Sequence, residues 1–301
     1  MKKHMPPIPS ELEHANRSRR NLLCAAALAA PAALLMAAGS ATAATGTAGA
    51  TANGASKPAT GKVALITGSS RGIGAATAKQ LAADGYSVTV NYLTNQALAE
   101  AIVAQITQSG GKAISVQADV SETEAVRRLF AATQQAFGGI DVVVSNAGIM
   151  RLSPFGLMRD ADIDRMIAVN IKGSFNVLRE AAQQVRDGGR IITLSSSITK
   201  LRSPTYGPYA ASKAAQELYA NILAKELEGR NISVNAVAPG LVNTTLFTDG
   251  KTPEQIAGFA QRTPHKRLGE PEDIAQVISA LCSNDGGWVN GQTVFANGGI
   301  I

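Results

Sequence analysis

Apolar and polar positions alternate along the chain in a pattern that predicts strands and helices in turn, beginning near residue 62. Seven short runs rich in β-branched and apolar residues predict strands: Lys62–Thr67, Tyr86–Asn91, Lys112–Gln117, Ile140–Ser145, Arg190–Ser195, Ile232–Ala238 and Thr293–Ala296. Longer segments between them have apolar residues at helical spacing and predict helices: Gly72–Asp84, Asn95–Ser109, Ala161–Val185, Tyr209–Glu228 and Pro271–Leu281. A further helix is predicted to open at the capping box Ser121–Glu124, with an apolar face of Ala125, Val126, Leu129, Phe130 and Phe137.

This order of elements predicts one doubly wound α/β domain of the Rossmann type over residues 61–301. Its sheet is expected to have seven parallel strands with helices on both faces. Burial on both faces explains why the strands are continuously apolar instead of alternating. A domain of this size buries enough surface to fold without disulfides or metal.

The first sixty residues lack this pattern and are typical of an export signal. Basic residues precede a run of Ala and Leu from Leu22 to Ala38, which ends at Ala41-Thr42-Ala43. This predicts a signal peptide over residues 1–43, cleaved after Ala43. Arg19-Arg20 resembles the twin-arginine motif of proteins exported already folded. We therefore expect export to a bacterial periplasm, with residues 44–60 as a flexible linker rich in Ala, Thr, Gly and Ser.

Three other interpretations of this segment remain open. Leu22–Ala38 could be an uncleaved anchor, but its heavy alanine content makes it a weak one, so no stable membrane anchor is expected. The segment could be an extension from a misplaced start codon, which would leave the protein cytoplasmic. A lipoprotein signal fits poorly, because Leu23 precedes Cys24 where a small residue would be expected.

Composition and charge exclude several function classes. The net charge is +6, and half of it lies in residues 1–43. With no dense basic run and only 4% aromatic residues, no nucleic-acid partner is expected. After residue 43 the chain has one cysteine, Cys282, read as a core thiol, and one histidine, His265. No metal site and no Ser-His-Asp triad are therefore expected.

The first predicted strand leads into a glycine-rich turn suited to a pyrophosphate. The turn reads Thr67-Gly68-Ser69-Ser70-Arg71-Gly72-Ile73-Gly74 and opens the first helix. Gly68 permits a tight turn, Gly72 lets the backbone approach a phosphate, and Gly74 allows the helix to pack close to the strand. Free N–H groups and a positive dipole at the helix N-terminus favour an anion. The turn therefore predicts a dinucleotide site.

The spacing Gly-x-x-x-Gly-x-Gly resembles the short-chain dehydrogenase/reductase family, and the resemblance extends over residues 61–301. Further family motifs follow later strands: Asp119-Val120, Asn146-Ala147-Gly148 and Pro239-Gly240. The resemblance implies that Asp119 and Val120 contact adenine. It also implies a nicotinamide-side loop at Pro239-Gly240, with Val242 and Thr244 near the carboxamide. Asn297-Gly298-Gly299 departs from the commoner Asp-Gly-Gly, at a position expected to lie far from the chemistry.

The segment after the second strand predicts NADP(H) as the cofactor, in preference to NAD(H). An acidic residue there would bind the ribose 2′-hydroxyl and repel a 2′-phosphate. This chain has Asn91-Tyr92-Leu93-Thr94-Asn95 instead. Arg71 can form charge-assisted hydrogen bonds to a 2′-phosphate, and Asn91 and Thr94 could add others. Family members with this arrangement prefer NADPH, so the resemblance implies the same choice.

Four residues match the catalytic positions of the family: Asn170, Ser196, Tyr209 and Lys213. Tyr209 and Lys213 are four residues apart at the start of a helix, so both project from one face. Ser196 is thirteen residues before Tyr209, at the end of the fifth strand, and this spacing selects it from its serine neighbours. The resemblance implies that Tyr209 exchanges a proton with the substrate oxygen and that Ser196 binds that oxygen. Lys213 would stabilise the phenolate and hold the ribose, and Asn170 would hold a proton-relaying water.

These motifs predict an NADP(H)-dependent enzyme that moves a hydride between the cofactor and a carbonyl or secondary alcohol. The alternative is a non-catalytic NADP-binding redox sensor on the same fold; a structural or adhesion protein is more distant. The segments Met150–Met158 and Leu241–Pro264 are expected to line the substrate site through Met150, Leu152, Phe155, Leu246 and Phe247. Asn91-Tyr92 resembles reductases of 3-oxoacyl thioesters, sugars and polyhydroxylated aromatics alike. The apolar set disfavours a free sugar, so a 3-oxoacyl, other apolar ketone or quinone-like substrate is expected.

The resemblance also implies a homotetramer. In the family, the positions of helices Ala161–Val185 and Tyr209–Glu228 pair into four-helix interfaces. The apolar C-terminus, Asn297–Ile301, suggests a second interface.

Overall fold

A computed structural model describes residues 59–301, in which seven parallel strands form one sheet. The strands are β1 (Val63–Ile66), β2 (Ser87–Tyr92), β3 (Lys112–Gln117), β4 (Ile140–Ser145), β5 (Val185–Leu194), β6 (Ser233–Pro239) and β7 (Thr293–Ala296). Their order across the sheet is β3-β2-β1-β4-β5-β6-β7. The winding reverses between β1 and β4, and ligands of open α/β sheets bind at the carboxyl ends of strands at such a point. The predicted doubly wound fold is confirmed.

Helices cover both faces of this sheet. They are α1 (Gly72–Ala83), α2 (Gln96–Gln108), α3 (Thr123–Phe137), α4 (Asp160–Met166), α5 (Ser174–Gln184), α6 (Ile198–Leu201), α7 (Gly207–Glu226), α8 (Thr245–Thr248), α9 (Pro253–Gln261) and α10 (Pro271–Cys282). Single 3₁₀ turns lie at Phe155–Leu157 and Asp285–Trp288. Among residues 59–301, no helix combines the length and the apolar composition that crossing a bilayer requires.

Successive strand residues enter two separate hydrophobic cores. In β1, Ala64 and Ile66 pack on the face covered by α1 and α10, whereas Leu65 packs on the face covered by α3 and α7. All three side chains are fully buried. Cys282 lies in the first core, where burial raises the pKa of its thiol to about 12, which confirms it as a core residue.

The predicted helix Ala161–Val185 is not a single α-helix. A π-helical segment, Ile167–Gly173, separates α4 from α5, and Asn170 lies at its centre. Apolar spacing did not reveal this segment because one wider turn shifts the buried face by only one residue. The last predicted helical residue, Val185, instead begins β5.

The predicted capping box at Ser121–Glu124 is wrong. The N-cap of α3 is Glu122, whose side chain caps nothing. Ser121 instead lies before the N-cap, and its backbone N–H and its hydroxyl both donate to Asp119 Oδ1, over 2.9 Å and 2.7 Å.

Ala59, the first described residue, is hydrogen-bonded to the domain. Ala59 N donates to the carbonyl of Asp84 over 2.8 Å. The predicted signal peptide and residues 44–58 of the predicted linker lie outside the described residues.

Candidate active site

Two adjoining cavities lie along the carboxyl edge of the sheet. We call the first the glycine cleft; it has a volume of about 290 Å³ and runs from the Gly68 turn past the ends of β2, β3 and β4. The second, the tyrosine cavity, has a volume of about 320 Å³ and contains Tyr209. Both are lined by the same five residues where they meet, namely Ile73, Asn146, Gly148, Thr244 and Leu246. A long ligand in the first cavity can therefore present one end to the second.

Most of the predicted cofactor residues line the glycine cleft. They are Gly68, Ser70, Arg71, Gly72, Ile73, Gly74, Asn91, Tyr92, Asp119, Val120, Asn146, Ala147, Gly148 and Thr244. The nicotinamide-side residues line the tyrosine cavity instead: Pro239, Gly240, Val242 and, again, Thr244. Thr67 lines neither cavity.

The glycine turn has the geometry that its sequence predicts. Gly68 and Gly72 adopt φ angles of +61° and +56°, in the left-handed region that favours glycine. A Cβ on Gly74 would lie 2.5 Å from Asn146 Nδ2 and 2.6 Å from the carbonyl oxygen of Gly68. The turn therefore has no room for a side chain at Gly74, and it presents bare backbone at the N-terminus of α1.

Thr67 holds this turn from beneath. Its buried hydroxyl accepts hydrogen bonds from the backbone N–H groups of Asn146 (3.0 Å) and Ala147 (3.1 Å). In return, Asn146 Nδ2 donates to the carbonyls of Thr67 (2.9 Å) and Gly68 (3.0 Å). The reciprocal bonds join the ends of β1 and β4, so Thr67 supports the cofactor turn without facing the cleft.

Asn91 has a structural role that the sequence did not reveal. Its Oδ1 accepts from Gly68 N over 3.0 Å, and its Nδ2 donates to the carbonyls of Ala118 (3.1 Å) and Val116 (3.2 Å). The side chain is 1% exposed. The amide that was expected to bind the 2′-phosphate is therefore already engaged, and Asn91 acts by fixing the glycine turn to β2.

The remaining groups at the end of β2 fit a 2′-phosphate. Arg71 is exposed at the cleft and makes no ion pair with any residue that the structure describes. Of the cleft residues in this part of the chain, Asp119 is the single acid, and it is 3.0 Å from Arg165. Burial disfavours ionisation of Asp119, but hydrogen bonds from Ser121 and Arg165 outweigh it and lower its pKa. The cleft thus has a cation and no unpaired acid to repel a phosphate.

Three of the four predicted catalytic residues, Ser196, Tyr209 and Lys213, line the tyrosine cavity. The Ser196 hydroxyl lies close enough to Tyr209 to favour its ionised form by hydrogen bonding. Lys213 Nζ donates to the carbonyl of Leu194 over 2.8 Å and is 5.8 Å from the centroid of the Tyr209 ring.

Asn170 lies behind this cavity and bridges two of its walls. Its side chain exchanges two hydrogen bonds with the backbone of Ile149, accepting over 2.9 Å and donating over 2.8 Å, and also donates to Ser212 Oγ over 3.0 Å. A Cβ on Gly148 would lie 3.4 Å from both Asn170 Oδ1 and Lys213 Nζ, so these two side chains approach each other beside Gly148.

Burial dominates the electrostatics of the tyrosine and the lysine. Desolvation raises the pKa of Tyr209, although the hydrogen bond with Ser196 works in the opposite direction. Desolvation also lowers the pKa of Lys213 to about 8. The lysine is therefore still mostly charged at neutral pH and can exchange a proton slightly above it.

Several residues that hold the catalytic groups were not predicted from the sequence. Gln216 is 1% exposed and donates to the backbone carbonyl of Asn170 over 2.6 Å. The sequence did indicate it, because a glutamine seven residues after Tyr209 on a helix falls on the buried face, where an amide needs a partner.

Asn297 was expected to lie far from the chemistry, and this is wrong. Its Nδ2 donates to Ser197 Oγ over 3.2 Å, directly beside Ser196 in the chain.

The lining of the tyrosine cavity differs partly from the predicted one. Met150, Leu246 and Phe247 line it, but Leu152 and Phe155 do not. Phe155 is 80% exposed, and its ring lies over Gly207 at the start of α7. The lining residues that the sequence did not single out include Ile198, Leu201, Tyr206, Phe259 and Arg262.

Known proteins share this architecture and sequence. The family model described as Enoyl-(Acyl carrier protein) reductase matches residues 68–301. An NADPH-dependent aldehyde reductase-like protein of Arabidopsis thaliana is 43% identical over 81% of this chain and 96% of its own length. Versicolorin reductase 1 of Aspergillus parasiticus is 41% identical over 80% of this chain and 97% of its own.

Solved structures agree with the sequence relatives. A short-chain dehydrogenase from Burkholderia cenocepacia in complex with NADP has a TM-score of 0.77 at 36% identity, covering 81% of this chain and 99% of that one. The angucycline C-6 ketoreductase LanV with bound NADP has a TM-score of 0.76 at 36% identity, covering 81% of this chain and 96% of that one. The site combines a glycine turn that excludes any side chain at Gly74 with a separate helix that has the Tyr-x-x-x-Lys motif. The chain belongs to the short-chain dehydrogenase/reductase family and is an NADP(H)-dependent oxidoreductase acting on carbonyl compounds.

Proposed function

We propose that the protein uses NADPH to reduce a bulky, apolar ketone or aldehyde in the tyrosine cavity. The observation that carries this proposal is the composition of that cavity. Its catalytic groups, Ser196, Tyr209 and Lys213, lie close together and form a polar wall. Other polar side chains, such as Tyr206 and Arg262, also line the cavity, but most of its exposed lining is apolar, including Met150 and Phe259. A substrate held there would place one oxygen on the polar wall and bury hydrocarbon elsewhere.

Each polar residue has a role in this reaction. NADPH supplies the hydride when it is bound. Tyr209 donates its hydroxyl proton to the substrate oxygen, and Ser196 orients that oxygen by hydrogen bonding. Lys213, on the same helix as Tyr209, provides positive charge that favours the resulting phenolate and resupplies the proton.

Asn170 acts through its neighbours in this proposal. Its side chain already bonds Ile149 and Ser212, and its carbonyl accepts from Gln216. Ser212 in turn donates to the carbonyl of Tyr209 over 2.7 Å. We infer that Asn170 fixes the Gly148 loop against α7 and so defines the space beside Lys213 in which a proton-relaying water would sit.

Relatives support the size and polarity of the proposed substrate. Their names include versicolorin reductases, an angucycline ketoreductase and a promiscuous reductase that catalyses keto-reduction at C1 during lugdunomycin biosynthesis. Others are aldehyde reductases. A cavity of about 320 Å³ accommodates at least a bicyclic ring system.

A series of ketones with the same reacting group and increasing apolar size tests the substrate class. NADPH consumption would be followed with cyclohexanone, 2-tetralone and dihydroxyacetone, the last as the polar control. Each buried CH₂ stabilises by about 0.8 kcal/mol, so we expect kcat/KM to rise at least about tenfold from cyclohexanone to 2-tetralone. A preference for dihydroxyacetone would contradict the proposal.

We also propose that the protein is a homotetramer. Phe175 on α5 and Leu218 and Ile222 on α7 are apolar and between 49% and 62% exposed. Leu218 and Ile222 are one helical turn apart, so they form one apolar stripe on the helices expected to pair. Light scattering of the wild type and of Leu218→Glu, with the equally apolar but distant Leu98→Glu as control, tests this. A monomeric wild type would refute it.

Export of the folded enzyme is the third part of the proposal. Arg19-Arg20 precedes a weakly apolar run and an Ala-x-Ala site, and the family match begins only at Gly68. A folded domain can carry a bound dinucleotide across a membrane, and the bound ligand stabilises the fold in transit. Cell fractionation of the wild type and of Arg19→Lys/Arg20→Lys tests this. Uncleaved wild type confined to the cytoplasm, indifferent to the double change, would instead favour a misplaced start.

A further inference from the structure

Glu217 joins the helix of the catalytic tyrosine to the loop of the catalytic serine. It lies one turn after Lys213 on α7 and is half-buried. Its Oε1 accepts a hydrogen bond from Ser195 Oγ over 2.8 Å and another from Thr199 Oγ1 over 2.8 Å. One carboxylate oxygen thus receives hydrogen bonds from both sides of Ser196.

Each of the two hydroxyls that bond Glu217 also lies near a backbone carbonyl. The Thr199 hydroxyl is also 3.0 Å from the carbonyl of Ser196, and the Ser195 hydroxyl is 3.1 Å from the carbonyl of Lys213. Each hydroxyl has one proton to share, and an ionised carboxylate is the stronger acceptor. No Lys, Arg or His of residues 59–301 forms an ion pair with Glu217, so the two hydroxyls are its partners.

We propose that Glu217 is a positioning residue that holds the Ser196 hydroxyl against Tyr209. This inference rests on the proposed function, because it assigns Ser196 and Tyr209 to the proton-transfer step. Tyr209, Lys213 and Glu217 occupy successive turns of one rigid helix. Glu217 therefore holds the loop to the helix of Tyr209 on both sides of Ser196, whereas without it the bond from Ser195 to the Lys213 carbonyl would hold one side.

The position of Glu217 predicts that its replacement affects catalysis and does not affect cofactor binding. It lines neither the glycine cleft nor the tyrosine cavity. Loosening the loop should therefore lower kcat and leave NADPH affinity unchanged. It should also weaken the hydrogen bond from Ser196, which favours ionisation of Tyr209. The other titratable groups near that phenol are Lys213 and Tyr206, and burial, not Glu217, is the main cause of the pKa shift of each.

The test compares Glu217→Leu and Glu217→Gln with the exposed control Glu228→Leu, which lies just beyond the same helix. For Glu217→Leu we expect kcat to fall between about tenfold and a hundredfold, as small misplacements of a reacting group do. Its NADPH Kd should stay unchanged, and the pH profile of alcohol oxidation should move to higher pH. Glu217→Gln keeps an acceptor oxygen and should restore most of kcat, and Glu228→Leu should behave as wild type.

Two outcomes would overturn the proposal: a normal kcat and pH profile in Glu217→Leu, or a loss that Glu217→Gln does not relieve. If Glu217→Leu does not fold, Ser195→Ala/Thr199→Val carries the same test, because it removes both donors. We expect the same fall in kcat and the same pH shift in that variant, and wild-type kinetics would refute the proposal.

Tyr209→Phe in the same assay separates this inference from the proposed function. If Tyr209→Phe stays active, the proposed function itself fails. If Tyr209→Phe is inactive while Glu217→Leu is normal, only the role of Glu217 fails.

Discussion

Replacing Gly74 with alanine tests whether the glycine turn is shaped for a dinucleotide. The new Cβ would lie 2.5 Å from Asn146 Nδ2, 2.6 Å from the Gly68 carbonyl oxygen and 2.9 Å from Ser69 Cα. Two of these atoms belong to the backbone and cannot rotate away. The turn must therefore open, and Asn146 must move.

The cost of this change follows from these contacts. Overpacking costs about 1–3 kcal/mol. Asn146 Nδ2 bonds the carbonyls of Thr67 and Gly68, and losing both bonds adds about 2 kcal/mol. A loss of about 3–5 kcal/mol corresponds to a fall in Tm of roughly 10 °C for a domain of this size. Because the same turn receives the pyrophosphate, the NADPH Kd should rise at least about tenfold.

Two matched variants make this prediction specific. Gly72→Ala meets only Thr244, at 3.4 Å, so its cost is the left-handed φ of +56°, about 1–2 kcal/mol. Gly258→Ala on α9 meets nothing within 4 Å and should leave Tm unchanged or slightly raised. Tm by calorimetry and NADPH Kd by fluorescence titration would be measured for all three. A Gly74→Ala protein that melts and binds NADPH like the wild type would refute the reasoning.

Three further predictions follow from the site. Arg71→Ala should reduce the preference for NADPH over NADH in kcat/KM by about tenfold or more, as loss of a charge-assisted bond does, and an unchanged ratio would show that Arg71 does not bind the phosphate. Burial lowers the pKa of Lys213 to about 8, below its unfolded value, so the unfolded chain binds more protons between about pH 8 and 10.5. The free energy of unfolding of the cofactor-free wild type, measured in urea and compared with that of Lys213→Met, should therefore rise by up to about 3 kcal/mol between pH 7.5 and 10.5. A difference between the two proteins that does not change with pH would contradict the lowered pKa. Gln216→Leu removes the hydrogen bond that the buried amide donates to the Asn170 carbonyl and should lower the free energy of unfolding by about 1 kcal/mol, whereas a fully stable variant would show that bond to be dispensable.

The sheet could be predicted because both of its faces are buried. Strands such as β4 then contain uninterrupted apolar residues, here Val142–Val144, and the glycine turn marks where the first strand ends. Family motifs at the strand ends placed the cofactor residues on one edge of the sheet. The strand order, which the structure shows, determines which of these cofactor residues lie next to each other along that edge.

The support beneath the site could not be predicted in the same way. The hydrogen bonds of Asn91 to Gly68 and of Gln216 to Asn170 join residues 23 and 46 positions apart, and no local pattern encodes such pairs. The proximity of Asn297 to Ser197 follows from β7 pairing with β6, which appears only once strand order is known.

Some features left a signal that was overlooked. Helix α9 begins with Pro253 and a capping box between Thr252 and Gln255, a start signal legible in the sequence. Phe155 illustrates the opposite case, because an apolar residue in a loop does not reveal which way its ring faces.

The most direct test of the account is the turnover of Tyr209→Phe beside the wild type, with NADPH and 2-tetralone. Tyr209 is a buried residue that lines the tyrosine cavity, and its hydroxyl is the group proposed to donate the proton. Removing one oxygen leaves the ring and its packing in place, so the NADPH Kd and Tm should stay close to wild type. We expect kcat to fall by about a hundredfold to ten-thousandfold, the range attributed to general acid catalysis. A variant that binds NADPH normally and reduces the ketone at a near wild-type rate would contradict the account.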